Sequence, residues 1–86
     1  MIYKMPTAYF LLNVALNHEV EVIEKIKKIL KNENSIDYEL QGVFGIYDVI
    51  VKITSDSDDN IRRLALDKIK QINKIQSAIT MMVNDN

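Results

Sequence analysis

Apolar and polar positions alternate along the chain in a way that marks out six segments. Over residues 8–15 both alternate sets are apolar, with Phe10, Leu12 and Val14 on one side and Tyr9, Leu11 and Ala15 on the other. A short run that is apolar on both sides predicts a central strand covered above and below. From Glu19 to Lys31 the spacing becomes helical: Val22, Ile23, Ile26, Ile29 and Leu30 form a stripe, with glutamates early and lysines late as the helix dipole favours. Asn17-His18 gives a polar start and Asn32-Glu33-Asn34 a polar end.

Period two returns at residues 35–41, where Ile36, Tyr38 and Leu40 alternate with Asp37, Glu39 and Gln41. At Gly42 the pattern slips by one, which predicts a bulge or bend. Residues 47–54 read as a third strand, with Val49, Val51 and Ile53 opposite Asp48, Ile50 and Lys52. A polar stretch at 55–60 opens a second helix, whose apolar positions Ile61, Leu64, Ala65, Ile69 and Ile72 predict that it runs to about Asn73. The last strand, 75–83, sets Ile75, Ser77, Ile79, Met81 and Val83 against Gln76, Ala78, Thr80 and Met82.

Strand, helix, strand, strand, helix, strand predicts an α+β fold: the ferredoxin-like β-α-β-β-α-β sandwich with a four-stranded antiparallel sheet. Residues 1–7 are a lead-in, 8–83 the domain and 84–86 a tail. Helices cover one face of such a sheet. On this phasing the other face carries Tyr9, Leu11, Ala15, Ile50, Ala78, Thr80 and Met82, with Asn13, Asp48 and Lys52 among them. So apolar a face predicts a second copy packed sheet to sheet, a dimeric α+β barrel.

Composition narrows the function. Eighty-six residues make one small domain, and chains of this size often gain core by oligomerising. With 11 basic and 12 acidic residues and no basic block, the chain lacks the footprint of a nucleic-acid binder. It has no cysteine, hence no thiolate metal site or disulfide. No apolar run is long enough to span a membrane, and the N-terminal segment is too short for a signal peptide, so a cytoplasmic protein is expected.

The stretch Val43-Phe44-Gly45-Ile46-Tyr47-Asp48 resembles the V-x-G-x-Y-D core of the Lrp/AsnC effector-binding (RAM) domain, and residues 72–83 resemble that family's closing I-x-G-V-x-x-T-x-T-x-I-V. The resemblance runs from Ala8 to Val83. Lys74 stands where the family usually has glycine, and Ala78 where the first threonine is common; Thr80 keeps the second. Family transcription factors carry an N-terminal helix-turn-helix. Only seven residues precede the first strand here, so the chain is similar to the stand-alone RAM proteins, with no reader of DNA.

The resemblance implies a non-enzymatic module that binds an amino acid effector, forms dimers and sometimes a tetramer of dimers, and acts by co-assembly with full-length relatives. No cofactor is implied. For an amino acid, Asp48 can meet the ammonium, the backbone around Gly45, Ile46 and Tyr47 the carboxylate, and Thr80 can add a hydroxyl. Equally, Gly45 can be a turn residue and Asp48 a partner of Lys52 or a loop cap.

The alternative is a small dimeric α+β barrel enzyme or a metal- or haem-handling protein, since fold does not fix function. His18, the only histidine, is its one metal candidate, and its position beside a helix start favours capping or exposure. Asp56, Asp58 and Asp59 lack the rest of a calcium loop and read as cap and dipole residues. Met81 and Met82 point to opposite faces, and Tyr38 and Tyr47 read as packing residues with a wet hydroxyl.

Overall fold

The computed structural model describes residues 5–83. Of the expected lead-in at 1–7, residues 1–4 lie outside the described residues, as does the tail at 84–86, and Thr7 already belongs to the first strand. The elements are β1 (Thr7–Val14), α1 (Glu19–Lys31), β2 (Ile36–Gly42), β3 (Val49–Ser55), α2 (Asp58–Arg63) and β4 (Ile75–Met82). They form one antiparallel sheet in the order β2-β3-β1-β4, so the fold is the α+β sandwich the sequence predicts.

The core lies between this sheet and the helices. Phe10, Leu12 and Val14 of β1 and Val49, Val51 and Ile53 of β3 meet Val22, Ile26 and Leu30 of α1, with Ile61, Leu64, Ala65, Ile69 and Ile72 beyond. The residue that breaks the alternation, Gly42, forms the last regular rung of the β2–β3 ladder with Val49. Of the expected bulge or bend, no bulge interrupts that ladder, but the backbone bends just beyond it at residues 44–46; the register shift falls in β1, between Asn13 and Val14. Ile23 of α1 packs over Gly42: a Cβ there would stand 3.4 Å from Ile23 Cδ1, an ordinary van der Waals contact.

The second helix also departs from expectation. It is α-helical only over Asp58–Arg63, then widens into a π-helical turn at Leu64–Ile69, in which the Lys70 amide donates to the Ala65 carbonyl at 3.0 Å. The apolar positions are those predicted, but the wider turn brings Leu64, Ala65 and Ile69 all onto the core. Ser57 caps the helix by accepting from the Asn60 amide at 3.1 Å, with Asp58 and Asp59 in the first turn. Arg63 ties α2 to the loop that follows α1, donating to Glu33 at 2.6 Å, and also donates to Asn60 of its own helix at 2.7 Å.

Pairing corrects the phase of β4. Phe10 and Leu12, on the helix side, lie opposite Thr80 and Ala78, and Ala8 lies opposite Met82. Directly opposed residues share a face, so Ala78, Thr80 and Met82 face the helix side. The open face carries Ser77, Ile79 and Met81, opposite Asn13, Leu11 and Tyr9. The face is consequently divided. Its β1–β4 half is apolar, whereas its β2–β3 half carries Asp37, Glu39 and Gln41 opposite Thr54, Lys52 and Ile50. The two edge strands differ likewise: β2 bears two carboxylates and β4 has no charged residue.

Candidate functional site

The segment between β2 and β3 is a turn held at both ends and open in the middle. The Val43 amide donates to the Asp48 carbonyl and the Asp48 amide to the Leu12 carbonyl, each at 2.9 Å. The Asp48 side chain adds a third tie: its Oδ2 accepts from the Val14 amide at 2.8 Å, just where β1 shifts register. The Val14 N–H lies past the last β1–β3 rung, Leu12 opposite Val49, and the carboxylate takes it up. The partner expected as an alternative, Lys52, pairs with Glu39 at 3.9 Å instead.

Between these ties, Phe44, Gly45, Ile46 and Tyr47 make no hydrogen bond to any described residue. Gly45 has φ +143°, backbone that an L side chain rarely adopts, and a Cβ there would meet nothing within 4 Å. Phe44 and Ile46 are exposed almost completely. Leu16 and Val20, at the same end of the sheet, are exposed as well. Val20 lies one turn before Ile23, which packs at Gly42. This end of the molecule therefore presents free amides, an apolar rim and the second oxygen of Asp48.

Gly45, Ile46, Tyr47 and Asp48 are thus gathered in one turn. Thr80 is not. It lies opposite Phe10 on β4, separated from β3 by β1, and faces the helix side. His18 occupies the N-cap position of α1 without capping it; its Nδ1 bonds Glu21 Oε1 at 3.2 Å, and Lys25 bonds the other oxygen at 3.2 Å. These two hydrogen bonds hold the Glu21 carboxyl below its ordinary value. Among the described residues no three His, Cys, Asp or Glu side chains converge as metal ligands, and no helix is long and apolar enough to cross a membrane.

Sequence reading missed the bond from the Val14 amide to Asp48 and the backbone of Lys74. Lys74 has φ +80°, in the left-handed region. Its carbonyl accepts from the Ala15 amide at 2.8 Å, which fastens the start of β4 to the end of β1. The signal was its position at a family glycine.

No protein-family model and no curated protein matches the chain. The solved structures do. The crystal structure of FFRP-DM1 is 31% identical and superposes with a TM-score of 0.78, over 93% of this chain and all of that one. The chain belongs to the Lrp/AsnC (FFRP) family. As a RAM-type domain of that family it also shares its fold with Escherichia coli AsnC, at 21% identity and a TM-score of 0.75, over 94% of this chain and 52% of AsnC. A third likeness of fold is to the transcriptional regulator NMB0573 of Neisseria meningitidis, solved as its L-Met complex: 11% identity, a TM-score of 0.70, and 93% and 50% of the two chains.

Proposed function

We propose that this RAM domain, with residues 8–83 as its folded unit, is an effector-binding and assembly module that takes a free amino acid at the turn of Gly45, Ile46, Tyr47 and Asp48. The observation that carries this reading is the division of labour within Asp48. One oxygen is committed to the Val14 amide and the other is left for an ammonium group, beside four amides that have no partner among the described residues. A carboxylate can be met by those amides, and Gly45 lets it approach closely. The L-Met held by NMB0573 is a ligand of the same class.

Assembly supports the same reading. A second copy over the apolar half of the open face, with Tyr9, Leu11, Ile79 and Met81 in the contact, makes the dimer. The exposed Leu16, Val20, Phe44 and Ile46 then suit a contact between dimers, as in a tetramer of dimers, where a neighbour closes the turn around its ligand. Thr80, away from the turn of its own chain, belongs to the site only if a neighbour supplies it. Full-length Lrp/AsnC regulators present the same domain, so the module acts on transcription in the cytoplasm by joining their assemblies, not as an enzyme.

Calorimetry against a panel of the common amino acids, on the intact chain and on Asp48→Asn, tests the reading. The asparagine keeps an oxygen for Val14 and loses the charge. Saturable heat for at least one amino acid, abolished in the variant, is expected. Silence across the whole panel refutes effector binding.

A further inference from the structure

The end of β1 is held from both sides of the sheet. Its last two amides find acceptors past the regular rungs. On the β3 side the Val14 N–H donates to Asp48 Oδ2, and on the β4 side the Ala15 N–H donates to the Lys74 carbonyl, each at 2.8 Å. Immediately before them the β1–β4 pairing shifts register, between Asn13 and Val14. There the open face adds a further tie, from Asn13 Nδ2 to Ser77 Oγ at 3.0 Å.

We infer that this end of β1 is a relay that couples the Gly45–Asp48 turn to strand β4. It describes how the site proposed above is regulated, and its regulatory meaning rests on that reading. A single carboxylate faces the effector and anchors Val14. An ammonium on its free oxygen fixes the carboxylate, which holds the Val14 amide in place. The peptide link to Ala15 then carries the restraint to Lys74 and to the first rungs of β4, which bring Ser77 and Ile79 to the open face. Coupling of this kind is reciprocal, so whatever steadies β4 also steadies the carboxylate and favours the effector.

Maintenance of the fold accounts for either bond alone. It does not require that consecutive amides be answered from opposite sides where the pairing slips. Nor does it require that the second acceptor belong to a residue held at φ +80°, a strain that persists only where the surroundings over-determine it. A slipped rung is an element that both ends can bias, which is the physical requirement for coupling.

Amide hydrogen exchange of the full chain, followed by NMR without any ligand, tests the relay, with Ile26 and Leu30 of α1 reporting global unfolding. Relative to those two, Asp48→Ala should speed exchange about tenfold at Val14, at Ala15 and at the β4 amides paired with β1. Asp48→Asn, which keeps an acceptor oxygen, should speed it by about threefold at most. Lys74→Gly relieves the strain at the far end and should slow Ala15, Val14 and Asp48 about two- to fivefold relative to the same reporters. The relay is overturned if Asp48→Ala speeds Val14 alone or every amide equally, or if the slowing by Lys74→Gly stops at Ala15. An amino acid that gives heat in calorimetry must slow Ala15 as well. Slowing confined to residues 44–48 overturns the relay and leaves effector binding intact, whereas calorimetric silence with the exchange pattern as expected leaves the relay intact and removes the effector.

Discussion

Lys74→Gly should stabilise the protein. At φ +80° a side chain crowds the following carbonyl, which costs about 1–2 kcal/mol for a non-glycine residue. Glycine removes that strain but loses about 0.5–1 kcal/mol through the greater freedom of its unfolded chain. The difference is a gain of about 0.5–1 kcal/mol. Nothing local offsets it: the Lys74 ammonium makes no hydrogen bond or ion pair among the described residues, and its side chain is exposed. For a domain of 86 residues the gain corresponds to a rise in Tm of about 2–8 °C. Thermal unfolding followed by circular dichroism measures it, with Lys74→Ala as control. The alanine keeps the strained backbone and should leave Tm within about 2 °C. A glycine variant that melts at or below the parent, or an alanine variant that matches the glycine, refutes the argument.

Three further outcomes follow from the geometry. Asp48→Ala leaves the half-buried Val14 amide without its acceptor and should cost about 1–3 kcal/mol in urea unfolding, whereas Asp48→Asn should cost less than about 1 kcal/mol; equal losses would mean that charge, not the acceptor oxygen, matters. If the proposed dimer forms through the apolar half of the open face, Ile79→Glu places a charge in its contact and should lower the sedimentation coefficient measured by sedimentation velocity without changing the circular dichroism spectrum; an unchanged sedimentation coefficient would place the contact elsewhere. The lowered Glu21 pKa gives a signed prediction: with the folded value below the unfolded one, its stabilisation is complete above the ordinary carboxylate range and fades as pH falls through the folded value. Glu21→Gln should therefore flatten part of the acid limb of a stability–pH profile, and an identical limb would refute the assignment.

How much of this was readable beforehand depended on how one-sided each pattern is. β1, α1 and β3 bury one complete set of positions, so Leu12, Ile26 and Val51 could be assigned from spacing alone. In β4 the two alternate sets are nearly equal in polarity, and the phase is fixed by a neighbour: pairing with β1 puts Ile79 opposite Leu11 and Thr80 opposite Phe10. Thr80 was misplaced for that reason. The π turn was invisible because the same apolar positions serve an α-helix equally well. In the turn, Gly45 was legible from the demands of backbone geometry. The structural duty of Asp48 was not, because it answers an amide of Val14, 34 positions away, left beyond the end of the β1–β3 ladder where no local pattern announces it.

The unequal edges of the sheet bear on how far strand addition can proceed. An uncharged β4 invites a partner strand, and a β4 paired with its own copy has used up the open edge of both molecules. What remains at either flank is β2, whose Asp37 and Glu39 repel another β2. Strand addition at β4 would stop at two chains and leave the sheet face free for the proposed dimer, so the asymmetry of the edges guards against propagation into fibres.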